Sequence, residues 1–235
     1  MPISLDKVRS TAPGLVDLYK RAKVNLDKRG IGGERAAVYL VLDRSGSMRR
    51  YYKDGTVQHL AEQALALAAH LDDDGVVPVV FFDKVAHPPV EVALSRYRGR
   101  INEEHERLGH MGTTNYAAAM QAVIDHHRAA APAVPAFVIF QTDGSPDSRT
   151  AAEKLLCASS TLPIFWQFIG FGDNEFTFLH KLDDLPVPGK RAIDNAGFFP
   201  AGLDPKSISD DDLYGHLIEE FPSWLATART CGIVS

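Results

Sequence analysis

The chain has 235 residues, 45% of them hydrophobic and 23% charged, with 25 Lys plus Arg against 30 Asp plus Glu and a net charge of −5. This composition excludes a disordered chain and allows a large core without staples. The acidic balance gives no reason to expect nucleic acid as the main ligand, and Cys157 and Cys231 form no CxxC or Cys/His spacing that would point to a disulfide framework or a zinc site.

In chain order, residues 10–26 open with a helix-start signal at Thr11–Pro13, and Leu15, Leu18, Ala22 and Leu26 follow at helical spacing. The run Ala37–Leu42 reads as a buried strand ending in Asp43. Gln58–Leu71 is Ala/Leu-rich and helical, and Val76–Phe82 is the next strand. Val85–Val90 is a hairpin partner or an edge strand, and Tyr116–Arg128 is a helix. Val134–Gln141 is another buried strand, followed by a helix over Thr150–Ser159 and a strand over Pro163–Gly170. A short helix over Phe176–Leu182, a final strand over Ala192–Phe199 and a C-terminal helix over Asp211–Arg229 complete the series. Ser209 is the expected N-cap of that last helix, and Pro222 should kink or break it.

Nearly continuous apolar strands imply a sheet buried on both faces, and their alternation with helices implies βαβ units. The expected fold is a doubly wound, mostly parallel α/β sheet with helices on both faces. One domain is expected over residues 36–200, with helical flanks over 1–35 and 201–235 packed on it. The N-terminus lacks the apolar core of a signal peptide, and the longest apolar runs are too short to span a bilayer. A cytoplasmic protein without a membrane partner is therefore expected. The sparse cysteines agree with a reducing compartment.

Ligands of such a sheet bind outside the carboxyl ends of its strands. Asp43-Arg44-Ser45-Gly46-Ser47 follows the first strand and places a carboxylate and two hydroxyls at alternate positions, with Gly46 permitting the loop to curl. Thr142-Asp143-Gly144-Ser145 follows another strand in the same way. If those strands are neighbours, Asp43 and Asp143 meet across the crevice. Gly112-Thr113-Thr114-Asn115, before a helix, adds a further hydroxyl. Either tract alone reads equally well as a polar turn; it is their combination that carries chemistry. Two acids and three hydroxyls make a hard oxygen site, suited to Mg²⁺, Mn²⁺ or Ca²⁺ rather than zinc or copper. If the acids hold the cation through water, its inner shell is mostly neutral hydroxyls, and it keeps an open, electrophilic position for a partner's carboxylate, as a metal-dependent docking point would.

The ordered set Asp43-x-Ser45-x-Ser47, Thr114 and Asp143-Gly144 resembles the metal-ion-dependent adhesion site of von Willebrand factor A (VWA) domains over about residues 36–200. The resemblance implies a VWA fold, a divalent cation, Mg²⁺ first, and an acidic protein partner. It also implies that Ser45, Ser47 and Thr114 contact the metal directly, and that Asp43 and Asp143 do so directly or through water. Gly112-Thr113-Thr114 departs from the family's usual Gly-Gly-Thr, so Thr113 stays an alternative to Thr114. Residues 12–20, Asp194–Phe199, Leu213-Tyr214 and Glu220–Leu225 resemble bacterial tellurium-resistance VWA proteins, which implies a cytoplasmic stress-response protein working in a complex.

Other features carry blander readings. His105 and His110 are one residue too far apart for the zinc-protease spacing, and i, i+5 positions do not share a helix face. His110 could line the docking face. His126-His127 reads as a solvated or dipole-complementing pair, Asp72-Asp73-Asp74 as a solvated turn, and Cys157 as an inert buried thiol. Trp166, Phe168 and Trp224 are expected in the core, and Phe198-Phe199 either there or facing a partner. A Mg²⁺-dependent hydrolase is the rival class. It is disfavoured because Ser45 stands where a haloacid-dehalogenase enzyme keeps its acid, and no nucleotide loop or nucleophile elbow is present. A structural module with a non-functional site is the third reading. Partner identity and oligomeric state are not legible in the chain.

Overall fold

In the computed structural model, which describes residues 2–235, the apolar runs form a single sheet of six strands in the order β3-β2-β1-β4-β5-β6. These are β1 (Ala37–Asp43), β2 (Val76–Phe82), β3 (Val90–Ala93), β4 (Ala136–Thr142), β5 (Ile164–Phe171) and β6 (Ala196–Gly202). All neighbours run parallel except β3, which is antiparallel to β2 at the edge. The chain winds outward in both directions from β1 and β4, so the switch point lies between them. This is the doubly wound α/β architecture that the alternation of strands and helices implies.

Strand alternation divides the core. Val38, Leu40 and Leu42 point into one layer with Phe137 and Ile139, while Tyr39 and Val41 point into the other with Val138 and Phe140. The first layer is covered by α1 (Leu5–Thr11), α2 (Val16–Lys28), α3 (Arg49–Lys53), α4 (Thr56–Leu71), α5 (Arg100–Leu108), α9 (Asp210–Leu217) and α10 (Phe221–Thr230). The second is covered by α6 (Tyr116–Ala130), α7 (Arg149–Ser159) and α8 (Thr177–Asp183). The α4 helix is buried nearly all round, because β1 and β2 cover one side and α2 the other. The imidazole of His70 on α4 stacks on Tyr19 of α2, with ring centroids 3.8 Å apart, and its Nε2 lies 2.8 Å from the Tyr19 carbonyl. Both terminal segments thus join the same layer, with α2 against α9.

Several elements shift from their expected places, each for a local reason. The edge strand is β3, beyond the Val85–Val90 segment. Residues 83–87 form a turn in which the Asp83 N–H donates to the Val85 carbonyl (2.9 Å), and Pro88 and Pro89 have no N–H for a ladder. The last strand begins at Ala196, not Ala192. Before it, Asn195 is wholly buried and its amide donates to the Leu156 carbonyl and Ser159 Oγ, which pins this stretch to α7. The C-terminal helix is two helices, with Pro222 in the first turn of α10, where its missing N–H is tolerated. The N-terminal helix is also two, because Thr11 ends α1 and Pro13 opens a short 3₁₀ turn before α2. Helices α3 and α5 have no counterpart among the expected elements. Gly99 and Gly109, both in the left-handed φ region, bracket α5.

Trp166, Phe168 and Trp224 are core residues. Phe198 and Phe199 pack on opposite faces of β6, Phe198 with the second layer and Phe199 with the first. His126-His127 is not a solvated pair: His127 is buried, which lowers its pKa, and His126 Nδ1 lies 3.0 Å from the Tyr39 hydroxyl. Cys157 is half-buried rather than enclosed. Among the described residues, no helix is long and apolar enough to cross a membrane.

Candidate metal centre

The β1/β4 register sets Leu42 beside Gln141, so Asp43 and the Thr142-Asp143 pair leave the sheet side by side. Asp43 is completely buried. Its Oδ1 accepts the Ser45 backbone N–H (2.6 Å), and its Oδ2 accepts the Thr142 hydroxyl (2.7 Å). The Tyr52 hydroxyl donates to the Asp43 carbonyl (2.9 Å), and the Tyr116 hydroxyl lies 3.0 Å from Thr142 Oγ1. Burial pushes the Asp43 carboxyl up to about 7. The hydrogen bonds from Thr142 and Ser45 pull the other way, and the charge of Asp143 adds to the rise.

Three further oxygens form a triangle above it. Ser45 Oγ and Ser47 Oγ are 3.1 Å apart, Ser47 Oγ is 2.9 Å from Asp143 Oδ1, and Ser45 Oγ is 3.4 Å from the same atom. Burial also raises the Asp143 pKa, against the hydrogen bonds from Ser47 and Ser45 and the nearby charge of Arg50. In an octahedral Mg²⁺ shell at 2.0–2.1 Å, adjacent ligand oxygens are about 3.0 Å apart, so the triangle has the dimensions of one octahedral face. Two desolvated carboxylates, neither in an ion pair among the described residues, also favour positive charge. The donor set therefore fits a small hard cation. It uses hydroxyls as much as acids, and among the described residues no group of three or more His, Cys, Asp or Glu side chains is arranged to hold a metal.

The Gly112–Thr114 loop lies against this triangle. Ser45 and Gly112 form a parallel bridge, and the Gly46 N–H donates to the Gly112 carbonyl (3.2 Å). A side chain at Gly112 would be tight, since a Cβ there would sit 3.0 Å from the Asp83 Cβ. Asp147 holds the two threonines differently. It accepts the Thr113 hydroxyl (2.7 Å) and the Thr114 N–H (3.2 Å), while its own N–H donates to the Thr114 carbonyl (2.8 Å). The Thr114 hydroxyl makes no hydrogen bond to protein among the described residues. The structure thus brings Asp43, Ser45, Ser47 and Asp143 together directly and lays the loop bearing Thr114 beside them.

Residues that the sequence reading passed over hold this arrangement. Arg44, between two site residues, is wholly buried. Its guanidinium donates to the Gly109 carbonyl (2.8 Å), to the His105 carbonyl (3.2 Å) and to Asp83 Oδ2 (3.3 Å). His105 stacks on Tyr52, with centroids 3.9 Å apart, and burial together with the Arg44 charge pushes its pKa down to about 4. It is a neutral structural side chain, and His110 lies exposed beyond the end of α5. Asn174 donates to the Asp143 carbonyl (2.6 Å) from the loop after β5. Thr142 could have been found, because it directly precedes Asp143. Asp83 could have been found too, because it directly follows the Val76–Phe82 strand, whereas nothing local marks Asp147 or Asn174.

A family model described as the vWA found in the TerF C terminus matches residues 35–234. A Bacillus subtilis (strain 168) protein, the uncharacterized protein YcbR, is 38% identical over 224 residues, covering 93% of this chain and 90% of its own. Among solved structures, a von Willebrand factor type A protein from Catenulispora acidiphila is similar with a TM-score of 0.54 and 18% identity, over 79% of this chain and 43% of that one. The manganese-loaded TRAP protein of Plasmodium vivax is similar with a TM-score of 0.50 and 20% identity, over 80% of this chain and 73% of that one. Proximal thread matrix protein 1 of the mussel byssus reaches a TM-score of 0.55 at 15% identity, over 79% of this chain and 47% of that one. At such identities the likeness of the solved structures is one of fold.

Proposed function

The chain belongs to the family of von Willebrand A domains found in the TerF C terminus, and we propose that it is a metal-dependent protein-binding module of a tellurium-resistance type stress response, acting in the cytoplasm. Asp43, Ser45, Ser47, Thr114 and Asp143 hold a divalent cation, Mg²⁺ in the first place. When bound, that cation supplies a Lewis-acid position for a carboxylate of a partner protein. The observation that carries this reading is the Ser45–Ser47–Asp143 oxygen triangle, with edges of 2.9 to 3.4 Å. That one protein of similar fold is manganese-loaded supports it.

The chain's own residues have separable roles. Ser45 and Ser47 present neutral oxygens, so that the site does not quench the cation's charge. Asp43 fixes the loop by accepting the Ser45 N–H, and it faces the site from below. Asp147 draws the Thr113 hydroxyl aside, which leaves Thr114 as the threonine free to ligate. On this reading the module binds a partner and turns over no substrate.

The test is a Mn²⁺ titration by calorimetry together with affinity capture from the host lysate, with and without EDTA. Saturable binding near one equivalent, capture lost in EDTA and both lost in Asp43→Ala are expected. Thr114→Val should weaken Mn²⁺ binding about tenfold, a loss of about 1.4 kcal/mol, whereas Thr113→Val should leave it within about twofold. Equal capture in EDTA would sink the metal-dependent mechanism.

A further inference from the structure

Directly after the metal loop, α3 carries three exposed cations, Arg49, Arg50 and Lys53, in a chain whose net charge is −5. Its other two residues, Tyr51 and Tyr52, are buried and anchor the helix. Arg50 is held in place. Its guanidinium carbon lies 4.3 Å from the centroid of the Tyr51 ring, and Nη2 donates to the Tyr51 hydroxyl. Tyr51 in turn packs on Phe171 of β5, with centroids 5.1 Å apart. Arg50 is close enough to Asp143 and Asp173 for their charges to act on it, yet it makes no ion pair among the described residues. It is a guanidinium fork fixed on a buried ring beside the oxygen triangle, with most of its donors free.

We propose that Arg50 is the second anchor of the docking face, and that the partner segment it selects carries two neighbouring acidic residues, one for the metal and one for the guanidinium. This rests on the metal-docking reading. With a divalent cation in place, the two site carboxylates are neutralised, and the three α3 cations then outweigh the charge of Asp173 at the rim. A planar guanidinium pairs with a carboxylate through two parallel hydrogen bonds, which a single metal-bound group does not use. Its stacking on Tyr51 removes part of the side-chain entropy that an exposed arginine otherwise loses on pairing. Arg49 and Lys53 have no such support, so they add general attraction and Arg50 adds geometry.

The experiment uses the full chain with Mg²⁺ and two blocked peptides, Ac-Gly-Asp-Gly-NH₂ and Ac-Gly-Asp-Glu-Gly-NH₂, titrated by NMR chemical shift. The two-acid peptide should bind about fivefold more tightly. Arg50→Gln should bring that ratio to about one, with the one-acid peptide still bound in a Mg²⁺-dependent way. Arg49→Gln, the same loss of charge without the stacked fork, should keep most of the ratio, and Arg50→Lys only part of it. Equal binding of the two peptides, or a ratio that survives Arg50→Gln, overturns the proposal. So does preferential competition by inorganic phosphate, which would make the anion a phosphoryl group. If neither peptide needs Mg²⁺, or neither binds with it, the metal-docking reading fails first and the two-anchor proposal falls with it.

Discussion

Two groups of acids sit at opposite ends of the sheet and have opposite electrostatic solutions. At the carboxyl ends of β1 and β4, Asp43 and Asp143 are met by hydroxyls and a backbone N–H, and among the described residues neither forms an ion pair, Arg50 acting on Asp143 only through its charge. At the start of β6, Asp183, Asp194 and Glu220 gather around Arg191, whose side chain is almost wholly buried. Arg191 donates to the carbonyls of Leu185 and Asp183 (2.6 and 2.7 Å), and its Nη1 lies 2.6 Å from Asp194 Oδ1. The second group carries its own cation as part of the fold. The first has a shaped oxygen site instead, and this difference is what separates a candidate binding site from a structural cluster of the same residue type.

The comparison is broken most directly by removing the built-in cation. Arg191→Met leaves two carbonyls without their donor and three acids without their charge partner. It should lower unfolding stability by about 3 kcal/mol, read by urea denaturation, because the carbonyls of Leu185 and Asp183 lose a charged donor, whereas the mostly exposed Asp194 stays solvated. Mn²⁺ binding at the other end should not change. A variant as stable as the parent would mean that solvent already screens this cluster.

Asp43→Asn should behave in the opposite way. In EDTA at pH 8 the variant should be as stable as the parent or more stable by about 1–2 kcal/mol, since a desolvated carboxylate becomes a neutral amide. The amide oxygen can still accept the Ser45 N–H, and the Thr142 hydroxyl can rotate to accept from the new amide. The rise in melting temperature given by Mg²⁺ in the parent should vanish. Loss of more than about 1 kcal/mol in EDTA would show that Asp43 is a structural residue first and would erase the contrast.

The two ends were unequally legible in the sequence. Asp43, Ser45 and Ser47 lie within one loop, and Asp143 follows an unbroken buried strand, so spacing and topology placed them. Only the adjacency of β1 and β4 was left as a condition, and the register meets it. The supports of that site were hidden because their partners are far away in the chain: Arg44 reaches Asp83 and Gly109, and Asp147 reaches back to Thr113. The Arg191 cluster was not seen at all. It is assembled from α8, the loop before β6 and the start of α10, and no short motif spans them. The misplaced β3 has a simpler cause, since hydrophobic alternation over Val85–Val90 was followed through two prolines that cannot join a ladder.

The smallest expected effect concerns pH at the Arg191 end. Burial pushes the Glu220 carboxyl up to about 7, helped by the charges of Asp194 and Glu219 and opposed by Arg191; the Asp183 carboxyl is pushed to about 7 by burial and by the charge of Glu220. An acid whose pKa is higher in the folded than in the unfolded chain binds more protons when folded. Its stabilising contribution is therefore full below the unfolded value near 4 and is lost as the pH rises through 7. Glu220→Gln removes that loss without removing the side chain. Discounted for the solvent exposure of Glu220, the variant should gain about 1 kcal/mol over the parent at pH 8 and about nothing at pH 4. Thermal unfolding measured in EDTA across that range isolates this end from the candidate metal site. A gain of the same size at both pH values would locate the effect in packing against Gly197, where a Cβ would lie 3.0 Å from Glu220 Oε1, and not in the charge of the cluster.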